Sequence, residues 1–83
     1  MQIDEQNPSP RVPAKIVFGA RLRHAREGLG LSQEVLAEKA GLHRTYIGQV
    51  ERGERNISVD SMERLADAVS LPLWDMLKPP SAA

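Results

Sequence analysis

The chain contains no cysteine, which excludes a disulfide framework, a thiolate nucleophile and a zinc-finger cluster. No apolar run approaches the roughly 18 residues of a membrane span, and the N-terminus lacks the basic-then-apolar pattern of a signal peptide. A cytoplasmic chain with no membrane partner is therefore expected. An excess of charge of one sign is also missing, since 11 Lys and Arg balance 11 Asp and Glu. His24 and His43 stand far apart with no clustered carboxylates, so no metal and no other cofactor is expected. Glu34, Glu38 and Glu51 come without a nucleophile or a cleft motif, which argues against an enzyme; Glu34 and Glu38 read as a solvated helix face. With 83 residues there is room for one domain and none for a ligand-binding module, so no small-molecule ligand is expected. A domain of this size buries only about 60–65% of its unfolded surface, and dimerisation would add to its stability.

What is present is helical. Residues 1–12 are polar, proline-punctuated and aperiodic and are expected to form a disordered arm; residues 79–83 are expected to form a disordered tail. Residues 13–78 carry five helical signals and no convincing strand. The first helix is expected near Pro13, with Phe18, Leu22, Ala25 and Leu29 on one stripe and Gly28 and Gly30 at its end. Ser32 is placed to cap the second helix, with Leu31 and Leu36 as a hydrophobic staple around it. The staple recurs as Leu42 and Ile47 around His43, and again as Ile57 and Met62 around Ser58. Gly41 breaks the second helix and Gly53 stops the third. The fourth points Met62, Leu65, Ala66 and Val69 inward, and Pro72 opens a last short helix over 73–77. Met62 and Met76 are expected in the core.

Residues 33–52 hold the most information. Small or apolar side chains at Leu36, Ala37, Ala40, Leu42, Ile47 and Val50 surround Gly41, as two helices crossing steeply at a tight turn require. The second of them presents Arg44, Thr45, Tyr46 and Gln49 outward, all hydrogen-bonding groups of the kind that line a DNA-reading helix. The charge distribution agrees. Residues 15–55 hold eight basic against five acidic side chains, whereas residues 56–83 hold two against four. Phosphate affinity follows local charge, so a neutral total predicts modest non-specific affinity rather than none.

The run LSQEVLAEKAGLHRTYIGQVERGERNIS resembles the Cro/C1-type helix-turn-helix family, also called the xenobiotic-response-element family, to which phage repressors belong. The similarity extends from about Phe18 to Leu77 and rests on the LSQ opening, the A-x-x-A-G turn and the ERG ending. The run LHRTYIG…ERGERNIS is similar in particular to restriction–modification controller proteins, small dimeric regulators. The resemblance implies an all-α, compact five-helix bundle of the lambda-repressor-like type with a central helix-turn-helix. It implies a transcriptional regulator that binds double-stranded operator DNA, with a palindromic site, as a homodimer. An antitoxin or a restriction–modification controller shares that fold; a protein–protein adaptor without DNA is the rival of another class.

By the same resemblance Gln33, Arg44, Thr45 and Gln49 are the base-reading residues. The chemistry fits: Arg bonds guanine bidentately, Gln suits adenine, and the Thr methyl meets the thymine methyl. Ser32, His43, Tyr46, Arg52, Arg55 and Asn56 are expected at phosphates. His43 stands where the family has Ser or Thr, which cap better. Arg26 and Glu51 match a structural ion pair. In the last helix the resemblance puts Leu73 and Leu77 at core positions and Trp74 where a polar residue is usual. A lone outward tryptophan suggests a self-association surface, and Leu73, Trp74 and Leu77 are the expected dimer interface.

Overall fold

The computed structural model describes residues 12–78; the expected tail and all of the expected arm except Val12 lie outside that span. Among the described residues there are five helices and no strand: α1 (Ala14–Gly28), α2 (Gln33–Ala40), α3 (Arg44–Glu51), α4 (Val59–Ala68) and α5 (Leu73–Met76). No helix is long and apolar enough to cross a membrane.

Local chemistry accounts for the helix boundaries. The Ser32 hydroxyl accepts from the Val35 N–H at 3.1 Å, and the Ser58 hydroxyl accepts from the Ser61 N–H at 3.1 Å, so two of the expected caps are made. His43 occupies the equivalent position before α3 and makes no side-chain cap. Gly41 ends α2 in the left-handed region (φ 70°, ψ 36°), where a side chain would be strained. There its own N–H closes onto Glu38 O at 3.3 Å and that of Leu42 onto Ala37 O at 2.9 Å. This turn aims α3 away from α2.

Each helix contributes to one core. Phe18 and Leu22 of α1, Leu36 of α2, Ile47 and Val50 of α3, Leu65 of α4 and Met76 of α5 are all fully buried. Burial of one such side chain is worth about 1.5–3 kcal/mol. α1 packs on α3 and α5, α2 on α3 and α4, and α4 on α5. Gly19 is what lets α1 approach so closely: a Cβ there would lie 2.1 Å from the Val50 carbonyl oxygen.

Four expectations change. Leu29 is exposed rather than inward. The chain reverses at Gly30 (φ 71°), and half-buried Leu31 folds back over the end of α1 instead, its N–H closing onto Arg26 O at 3.1 Å. Pro72 caps the last helix from outside rather than opening it. That helix ends at Met76, which is fully buried as expected; Leu77 follows it and is 42% exposed, outside the core position that the resemblance gave it. Met62 lies at the edge of the core, half-buried.

Candidate nucleic-acid interface

α3 divides its faces cleanly. Ile47, Gly48 and Val50 are buried against the other helices, while Arg44 and Thr45 on its first turn are exposed and Tyr46 and Gln49 are half-buried beside them. His43 and Ser32 are exposed at the N-termini of α3 and α2, and Gln33 is half-buried on the first turn of α2. Arg52, Arg55 and Asn56 are exposed on the segment joining α3 to α4. The expected base-reading and phosphate groups therefore sit on the start of α2, on α3 and on the loop that follows it.

A single carboxylate anchors this surface from beneath. Glu51 accepts from Arg26 Nε at 2.6 Å and Nη2 at 3.0 Å, and from Gln33 Nε2 at 3.0 Å. The third guanidinium nitrogen of Arg26, Nη1, donates to the Leu31 carbonyl at 2.7 Å. One carboxylate thus joins α1, the first turn of α2 and the end of α3. Only 11% of the Arg26 side chain and 3% of the Glu51 side chain are exposed, so these bonds replace lost hydration, and no buried side-chain polar atom among the described residues lacks a partner. The hydrogen bond to Glu51 raises the Arg26 pKa above its already high ordinary value, against the opposing effect of burial. Gln33 thereby acquires a second role that the sequence did not disclose, since its amide nitrogen is held inward by Glu51.

The outer groups are also organised. The Arg55 guanidinium stacks over the Tyr46 ring at 4.9 Å from its centroid, and its Nη1 donates to Gln49 Oε1 at 3.3 Å. Such a cation–π contact contributes about 0.5–1 kcal/mol at an exposed site. Arg52 donates to Glu54 through Nε at 2.9 Å and Nη2 at 3.3 Å, which raises its pKa. Among the described residues no group of acidic, histidine or cysteine side chains could hold a metal ion.

A helix-turn-helix at 33–51 with this polar face is the deciding geometry, and residues 22–73 match the helix-turn-helix family. The chain belongs to the Cro/C1-type helix-turn-helix family. It is a DNA-binding transcriptional regulator. Control protein C.BamHI of Bacillus amyloliquefaciens is 41% identical to it over 64 residues, covering 76% of this chain and 79% of that protein. The restriction–modification controller protein C.AhdI of Aeromonas hydrophila superposes with a TM-score of 0.72 at 45% identity, covering 75% of this chain and 94% of that one. SinR, a master regulator of biofilm formation solved in complex with DNA, superposes with a TM-score of 0.70 at 29% identity over 74% of this chain and 98% of that one.

Within this helix-turn-helix protein, sequence reasoning missed Gly19 and the pairings of Arg55 with Gln49 and of Arg52 with Glu54. A glycine inside an apolar helical stripe signals close helix packing and could have exposed the first. The pairings had no sequence signal, because they depend on how the loop after α3 folds back.

Proposed function

We propose that two copies of the chain bind a palindromic operator, each placing α3 in a major groove, with half-sites about one helical turn apart. The observation that carries this is the two-faced α3, sealed into the core by Ile47 and Val50 while Arg44 and Thr45 on its first turn face outward. Arg44, Thr45, Gln49 and Gln33 read bases, and Ser32, His43, Tyr46, Arg52, Arg55 and Asn56 hold phosphates and set the register. Leu73, Trp74 and Leu77 form the dimer contact; Trp74 is 69% exposed on a helix that otherwise packs inward. A cytoplasmic location and the absence of enzymatic activity go with this reading. The test is selection of bound sequences from a random duplex pool, followed by titration with salt. A two-fold motif and an affinity that falls steeply with salt are expected; no retention on any duplex at low salt would defeat the proposal.

A narrower reading is favoured by the similarity to C.BamHI and C.AhdI, both named as controllers. On it, the operator lies upstream of restriction–modification genes. A neighbouring gene for a restriction enzyme or methyltransferase supports this reading, and a neighbouring toxin gene points to an antitoxin instead.

A further inference from the structure

Among the described residues, Gly19 and Gly48 lie buried inside helices, and their surroundings differ. A Cβ on Gly19 would strike the backbone of α3, so that glycine serves helix packing. A Cβ on Gly48 would meet side chains of the expected DNA surface instead. The three nearest atoms are Arg52 Nη1 at 3.2 Å and the amide nitrogen and oxygen of Gln33, each at 3.8 Å. Gly48 stands four residues from both Arg44 and Arg52 and three from Thr45, so it shares their face of α3. Glycine is a poor helix former, and these neighbours show no core contact that calls for it here.

Resting on the proposed DNA reading, we infer that Gly48 is a positioning residue: the space left by its missing Cβ seats the Arg52 guanidinium and holds it ready for a DNA phosphate. Glu54 fixes the other side of that guanidinium, accepting from Nε at 2.9 Å and Nη2 at 3.3 Å. Nη1 is thereby left against α3 at Gly48. An added methyl at 3.8 Å from Gln33 is an ordinary van der Waals contact, which Gln33 tolerates without moving. At 3.2 Å the Arg52 guanidinium has to give by a few tenths of an ångström, against its tie to Glu54. The Arg52 side chain is 60% exposed, and an arginine already held in place loses less rotamer freedom on meeting a phosphate.

The test compares the full chain with Gly48→Ala, Arg52→Ala and the double variant, on duplexes that the unaltered chain selects from a random pool. Gly48→Ala should raise the melting temperature by about 4–8 °C, because alanine is the better helix former. It should nevertheless weaken binding roughly three- to fivefold on every sequence, the scale of one exposed charge contact. The slope of log affinity against log salt should become shallower by up to about 0.9, one phosphate's worth. Base preferences should not change, since a phosphate contact carries no sequence information. Arg52→Ala should show the same loss of affinity and slope, and adding Gly48→Ala to it should cost nothing more. Unchanged or tighter binding by Gly48→Ala would overturn the inference, as would a lower melting temperature, because the glycine would then serve packing. So would a changed preference at one base pair, the sign that a base edge meets α3 at Gly48 directly, or a loss from Gly48→Ala that is as large without Arg52 as with it. In each of those outcomes the DNA reading stands; an unaltered chain retained on no duplex at low salt overturns both.

Discussion

At the scale of single residues, Glu51 and Gly19 carry the most. Glu51 takes three hydrogen bonds in a nearly closed site. Arg26→Ala removes two of them and also leaves the Leu31 carbonyl without its 2.7 Å donor. An uncompensated buried charge costs about 3–5 kcal/mol, so a loss of that order is expected in urea denaturation. Replacing both partners with apolar side chains, Arg26→Met with Glu51→Leu, should restore much of it. Gly19→Ala places a carbon 2.1 Å from a backbone oxygen that cannot move without shifting α3. A loss of about 1–3 kcal/mol is expected, measured the same way. Of these two sites the ion pair was legible in the sequence, through a family resemblance. Gly19 was legible only as a glycine within an apolar stripe; which backbone comes to face it was not.

At the scale of elements, the three staples around Ser32, His43 and Ser58 mark the starts of α2, α3 and α4 correctly, because capping is local chemistry. His43 is the one position of the three without a side-chain cap. His43→Ser should supply a hydroxyl to the first turn of α3 and add about 1 kcal/mol, visible as a rise of about 4–8 °C in melting temperature for a domain of this size. After α4 the chain turns through Ser70, which sits in the left-handed region (φ 61°), with its N–H on Asp67 O at 3.0 Å and that of Leu71 on Ala66 O at 3.0 Å. This is the turn that Gly41 makes after α2, made without a glycine. Ser70→Gly should therefore raise thermal stability by about 0.5–1 kcal/mol. Helix ends were the less legible part of the sequence: Leu29 and Leu77 continue the apolar period, yet the chain has already left the helix at both.

At the scale of the whole molecule, the five helices among the described residues share one core, and the proposed reading of a palindrome calls for a second copy. Trp74→Ala should lower the dimer fraction in sedimentation; an unaltered association constant would remove it from the interface. The sequence by itself determined the five helices of the described residues, the caps at Ser32 and Ser58, the break at Gly41 and the exposed character of Arg44 and Thr45. These follow from period, backbone freedom and side-chain chemistry within a few residues. Only the tertiary structure decided that Gln33 is tied to Glu51, that Gln49 is held by Arg55 and that Leu77 stays out of the core. Those outcomes depend on groups far apart in the chain or on the path of a loop, and neither leaves a periodic trace in the sequence.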